Sequence, residues 1–286
     1  MALNAIFRAT CNWMDISTAA NVHRWLFTIC DSAQGCLWTP AGDTAEGTAA
    51  VLRSMASLWD QGGVMRLNNA RLAVPHAELL GSEPRGVLVL PSLTRVGRTS
   101  WQCSFRITED TAEARLLAEV ETIMVATNAD HTKSVELPNA GALRELAVAP
   151  LGLAKPEFNP PSPRLLAGGG SFSCSWTTRV TDCDSLGHVN NAVWASLAEE
   201  VRATALRAGG YCDAGAALAA LPATSMAISY IDQARPFVEM HAVTFWDEAT
   251  SVFRIDFFSE GMAGAARKLV GEVTIGVLVE ARTASL

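Results

Sequence analysis

Apolar residues return at every fourth position from Val189 to Ala205, through Val193, Leu197 and Val201. Ala192, Ala198 and Leu206 widen this stripe into one broad face, which predicts an amphipathic helix laid against a core. Gly209 and Gly210 stop it. Val22, Trp25, Leu26, Ile29 and Ala33 repeat the spacing in the first half, with Gly35 as the terminator. Elsewhere the period is two. Trp101, Cys103, Phe105 and Ile107 alternate with Ser100, Gln102, Ser104 and Arg106, as an antiparallel strand with one covered face requires. "SVFRIDFF" does the same with Phe253, Ile255 and Phe257, and "MHAVTFW" and "GEVTIGVLV" are rich in β-branched residues. "TAAVLRSMASLW" predicts an extra helix in the first half. Long helices beside runs of antiparallel strands make an α+β class.

The pattern occurs twice. Asp15, Asn21, Trp25 and Asp31 fall on Asp184, Asn190, Trp194 and Glu200 at an offset of 169, and "LAEVETIMV" resembles "VGEVTIGVL" with Glu119 over Glu272. Two large units in one chain point to a fused pair of protomers rather than a solenoid. Between them, residues 150–173 hold five prolines and a triple glycine, which neither a helix interior nor a central strand accommodates. The expected organisation is an N-terminal domain at 1–149, a linker at 150–173 and a C-terminal domain at 174–286.

Composition narrows the field. With 49% hydrophobic residues the chain can bury a sizeable core, and a net charge of −7 argues against a nucleic-acid partner. Seven cysteines at irregular spacing, with no CxxC, read as reduced thiols in a cytoplasmic protein. No basic leader and no long apolar run predicts a signal peptide or a membrane span. There is no GxSxG, no HExxH, and no GxGxxG leading into a helix, so no motif calls for a metal or an organic cofactor.

The chemistry concentrates at the head of the second helix, in "RVTDCDSLGHVNNAVW". Gly187 permits a tight turn. The residues just after it are expected to begin the helix, whose first amides have no partner inside the helix and favour negative charge. Asp184 could act as base or nucleophile, His188 as its proton partner, and Gly187, Val189, Asn190 and Asn191 could hold an oxyanion or position substrate. Each also has a structural reading: Asp184 as a cap, His188 as a buried histidine bonded to backbone, Asn190 and Asn191 as helix-start hydrogen-bonding groups. Asp182 reads as solvated or paired with Arg179, Glu199, Glu200 and Arg202 as a charged helix face, and Trp25 and Trp194 as packing residues.

D-x-D-x-x-G-H-V-N-N before a long helix resembles the signature of hotdog-fold acyl thioesterases, above all the tandem-hotdog acyl-acyl-carrier-protein thioesterases. The resemblance implies two hotdog domains forming a pseudo-dimer, each an antiparallel sheet wrapped around a long helix. It assigns Asp184 and His188 to the active site, with Leu186 where the family carries an asparagine. In "YIDQARP", Asp232 matches the family's glutamate on a later strand, with Tyr230 and Arg235 keeping register. The first half keeps Asp15 but places Thr18 and Ala19 over Gly187 and His188, and Ser92 over Asp232 at an offset of 140. One working site is therefore expected, in the second half. The implied activity is hydrolysis of an acyl thioester of acyl carrier protein or coenzyme A, within fatty-acid or polyketide biosynthesis. An acyl-thioester hydratase or dehydratase and a non-hydrolytic acyl-binding or product-shaping protein are the alternatives. The fused halves supply the minimal pair, so a monomer and a larger homo-oligomer are both compatible.

Overall fold

The computed structural model describes residues 7–11, 24–30, 57–58, 60–74, 85–154, 171–184, 187–211, 221, 223–260 and 267–277. They divide between two compact units, the first ending at Ala154. In the first, strands β1 (Phe7–Cys11), β2 (Gly63–Ala73), β3 (Arg85–Val96), β4 (Ser100–Glu109) and β5 (Leu116–Asn128) pair in the order β1-β3-β4-β5-β2. In the second, β6 (Ser171–Thr177), β7 (Ala223–Tyr230), β8 (Glu239–Asp247), β9 (Val252–Ser259) and β10 (Lys268–Val277) pair in the order β6-β8-β9-β10-β7. The pairings within each unit are antiparallel, and the two orders are the same one written twice. The repeat read from a few sequence identities is thus a repeat of strand topology.

Period two explains which face of each strand is covered. Trp101, Cys103, Phe105 and Ile107 of β4 are buried, while Gln102 is half-buried and Arg106 exposed. Phe253, Ile255 and Phe257 of β9 are buried likewise, and Arg254 on the opposite face forms ion pairs with Asp256 and Glu272. Burial pushes the Cys103 thiol up to about 12. Residues 24–30 are helical and bury Trp25, Leu26, Phe27, Ile29 and Cys30. The expected "TAAVLRSMASLW" helix falls largely outside the described residues, as do Val22, Ala33 and Gly35.

Helix α1 (Ala140–Leu146) seats the buried Leu143 near β3, and the Arg144 guanidinium donates to the carbonyls of Val96 and Gly97, both at 3.2 Å. The chain then crosses the first sheet. Amides of Gly152 and Leu153 donate to the carboxylate of Glu121, at 3.0 and 3.2 Å, and Arg71 donates to the Leu153 carbonyl at 2.7 Å. A buried carboxylate on β5 is satisfied in this way, since an ionised group removed from water needs such donors. Residues 150–154 therefore adhere to the first unit, and residues 171–173 already belong to β6, so the stretch read as linker is anchored at both ends.

Helix α2 (Asn191–Arg207) packs against β6, β8 and β9. Burial runs almost around it and takes in Trp194, Ala195, Ala198, Val201 and Ala205, while Leu197 and Leu206 are only half-buried. A helix covered on most sides needs more than the single stripe that periodicity reveals. Trp194 meets the rings of Phe257 and Tyr230 edge to face, with centroids 5.2 and 6.4 Å apart. At Gly271 of β10 a Cβ would lie 3.1 Å from the Trp194 ring, so the bare backbone there gives the indole its seat. Among the described residues no helix is long and apolar enough to cross a membrane.

Glu199 and Arg202 correct the sequence reading. They are not a solvated face: their side chains are 3% and 7% exposed, and the Arg202 guanidinium donates to Glu199 at 2.8–2.9 Å and stacks 5.4 Å from the Phe253 ring centroid. Nearby, the Tyr211 hydroxyl bonds Thr244 at 2.5 Å; burial raises its pKa.

Candidate active site

The polar turn of the second unit hangs between β6 and α2. Past β6 the chain makes one 3-10 turn (Val180–Asp182), in which the Asp182 carboxylate accepts the backbone amide of Arg179 at 2.8 Å. Cys183 and Val189 then form an isolated antiparallel bridge, closing a loop around residues 184–188. Inside it, Asp184 donates its amide to the His188 carbonyl at 2.9 Å, and its carbonyl accepts the Gly187 amide at 3.0 Å. Gly187 sits at φ +74°, a left-handed conformation that costs glycine nothing and other residues energy. The glycine is thus a requirement of the loop closure.

Asp184 and the backbone of His188 lie together across the turn. Both are half-buried, and the His188 amide donates to Asp184 Oδ1 over 3.4 Å. Leu186 lies outside the described residues, as do Asp15, Thr18 and Ala19.

The amides differ from the expectation. The helix begins at Asn191, four residues beyond Gly187, and not immediately after the glycine. The amides of Gly187, His188 and Val189 are all engaged within the protein, that of Val189 by the Ala234 carbonyl at 2.8 Å. Asn190 is the N-cap: its side chain accepts from Ala192 at 2.8 Å, and its carbonyl accepts from Val193 at 2.9 Å. Its own amide donates to Asp182. The amide of Asn191 meets no acceptor among the described residues, and the Asn191 carbonyl accepts the Tyr230 hydroxyl at 3.1 Å.

The Val189–Ala234 bond ties this loop to the segment carrying Asp232. That residue is not on a strand. It follows the end of β7, with its amide on the Val270 carbonyl at 3.0 Å and its carboxylate 2.5 Å from Lys268 Nζ. Its counterpart in the first unit is the stretch after β2, opening with the buried Val74, rather than Ser92 on β3. An offset of 140 joins non-equivalent elements because the loops differ in length.

Beside the loop, between β6 and α2, opens a cavity of about 920 Å³. Val193, Leu197 and Val201 line it from the helix, Trp176 from β6, and Phe237 and Val180 at its edge, interleaved with polar side chains that include Ser175, Thr177, Ser196, Glu200 and Thr204. Phe237 and Val180 are large apolar side chains 74% and 61% exposed. The stripe that predicted the helix is therefore partly a cavity wall. Asp184, His188 and Asp232 are adjacent to the cavity in sequence but do not line it. Burial, then the carboxylates of Asp182 and Asp184, push the Cys183 thiol up, which disfavours its thiolate.

No protein-family model matches the chain, and no curated protein matches its sequence. Solved structures do. An acyl-ACP thioesterase from Bacteroides thetaiotaomicron aligns over 96% of this chain and 98% of its own, with a TM-score of 0.66 and 11% identity. The 12:0-ACP thioesterase from Umbellularia californica aligns over 96% and 97%, with a TM-score of 0.65 and 13% identity. Identities this low speak for the fold, and near-complete coverage of both chains extends the match across both units. With its strand order repeated in each half, the chain has the double hotdog fold.

Proposed function

We propose that the protein is a thioesterase that hydrolyses an acyl thioester of acyl carrier protein or coenzyme A to the free acid and thiol. The observation that carries this reading is the loop bridged at Cys183 and Val189, which holds Asp184 against the backbone of His188 at the head of a buried helix and beside a cavity walled by both apolar and polar side chains. Its volume lies within the range of about 300–1,000 Å³ usual for small-molecule sites. The acyl chain enters between Val193, Leu197, Val201 and Trp176, with Val180 and Phe237 as an apolar lip.

Asp184 takes the proton of the attacking water, and the amide of His188 on Oδ1 keeps the carboxylate aligned. His188 orients the carboxylate or the acyl carbonyl. The oxyanion is held by the Asn191 amide, the outermost donor of α2, with the helix dipole behind it. Gly187, Val189 and Asn190 shape the loop and the helix start around that donor. Asp232 orients the water, its carboxylate steered by Lys268.

Thiol release from a panel of acyl-CoA and acyl-carrier-protein substrates tests the reading. Turnover should fall by roughly 10²–10⁴ in Asp184→Asn. Absence of thiol release above background from every substrate, in folded protein, removes the assignment; full activity in Asp184→Asn removes its mechanism.

A further inference from the structure

The second unit's sheet carries, on the face away from α2, a group of side chains that acyl hydrolysis does not use. Met240 and Ala242 of β8 share the face of Phe257, which packs on Trp194 of the helix. Glu239 and His241 take the other face, where His241 lies opposite Ser175 of β6 and Phe258 of β9. Glu260 follows β9 directly, and its amide donates to the Glu239 carbonyl at 3.1 Å. Two chain segments thus bring two carboxylates to one imidazole.

The imidazole is set for a ligand. Its side chain is 9% exposed, and Nδ1 lies 2.6 Å from Ser175 Oγ. Buried Nε2 has no hydrogen-bond partner among the described residues. It faces Glu260 Oε1 at 3.4 Å and Glu239 Oε1 at 3.8 Å, and one atom of each residue lies within 4.8 Å of the others. An N–H on Nε2 would want its acceptor at about 2.7–3.2 Å, nearer than either oxygen. A bare lone pair would point at two carboxylates. Neither state of the neutral ring satisfies a buried nitrogen. A tetrahedron around a cation with metal–nitrogen and metal–oxygen bonds of about 2.0–2.2 Å has edges of about 3.4 Å; the nitrogen-to-Glu260 separation matches that edge and the nitrogen-to-Glu239 separation of 3.8 Å exceeds it by a few tenths of an ångström.

We infer that Glu239, His241 and Glu260 form a binding site for a divalent transition-metal ion, with one imidazole nitrogen and two carboxylate oxygens as protein ligands. Ser175 accepts the Nδ1 proton and so presents the Nε2 lone pair to the metal. The carboxylates, 49% and 52% exposed, give the ion access from solvent and leave room for water as a further ligand. A nitrogen ligand favours zinc and its neighbours over magnesium and calcium. The ion clasps the β6–β8 edge to the end of β9, a structural role independent of the thioesterase reading.

The test is titration of the EDTA-treated full-length protein with zinc chloride by calorimetry, followed by X-ray absorption of the complex. One ion per chain is expected, with a first shell of one imidazole nitrogen and oxygens and no sulfur. Ser175→Ala should weaken binding by roughly tenfold or more. The double variant Glu239→Gln/Glu260→Gln should abolish it while keeping the wild-type circular dichroism in EDTA. Nitrogen-15 NMR gives a readout that needs no variant: zinc should shift His241 Nε2 and leave Nδ1 protonated. No zinc uptake, a sulfur-containing shell, undiminished binding in the double variant, or an Nε2 that keeps its proton with zinc present would each overturn the assignment.

Discussion

Removing one partner of the Glu199–Arg202 pair should destabilise the second unit more than an ordinary helix-surface substitution. In Glu199→Leu the Arg202 guanidinium stays 7% exposed against Phe253 without the carboxylate to which it donates at 2.8–2.9 Å. Its Nη1 is already buried without an acceptor among the described residues. Leaving a buried charge uncompensated costs about 3–5 kcal/mol, a large share of the roughly 5–15 kcal/mol that holds a typical domain folded. Arg202→Met strands the carboxylate instead, for a similar loss. The double variant Glu199→Leu/Arg202→Met removes both charges and sets two apolar chains against Phe253. It should lie within about 1 kcal/mol of the wild type, because two ions no longer need desolvating. Urea unfolding followed by near-ultraviolet circular dichroism measures all three, Trp176, Trp194 and Trp246 being reporters within the unit. A single variant losing under about 1 kcal/mol, or a double variant as unstable as the singles, would refute a buried pair held by mutual neutralisation.

Other outcomes follow from single geometries. Gly187→Ala should lower stability by about 1–2 kcal/mol through backbone strain alone, since its φ is +74° and a Cβ there would touch nothing within 4 Å; thermal unfolding measures this, and an unchanged midpoint counts against the left-handed loop. The Cys103 thiol is raised to about 12 by burial, so the unfolded chain loses this proton first. Stability should then fall as pH rises from about 9 towards 12, and a Cys103→Ala variant should lack that part of the slope in denaturation measured across this range. Lys268→Met should change stability by less than about 1 kcal/mol, its ion pair with Asp232 being 66% and 36% exposed, but should lower kcat with KM retained. An unaltered kcat would remove Lys268 as the residue that steers Asp232.

What the sequence made legible was whatever depends on a neighbour a few residues away. The alternation of Trp101, Cys103, Phe105 and Ile107 encodes the covered face of β4 because successive side chains of a strand point to opposite sides. Asp184 and His188 could be grouped because they lie four residues apart around a glycine that the bridge of Cys183 with Val189 closes. What stayed hidden depends on partners distant in the chain. The Val189 amide looked available only while its acceptor, Ala234, was unknown, and with that bond drawn the donor proposed for the oxyanion is the Asn191 amide instead. Glu199 and Arg202, three apart on a helix, have the spacing of a solvated pair, and nothing local says that β9 will lay Phe253 over them. Glu121 gives no sign on β5 that the chain will return at Gly152 to donate to it. The imidazole and two carboxylates at 239, 241 and 260 match no metal motif, because their spacing is set by strand pairing rather than by one turn of helix or loop. Electrostatics is therefore where a sequence reading of this fold is weakest: apolar burial repeats with the period of the backbone, whereas a buried charge is settled by one contact whose two ends the chain keeps far apart.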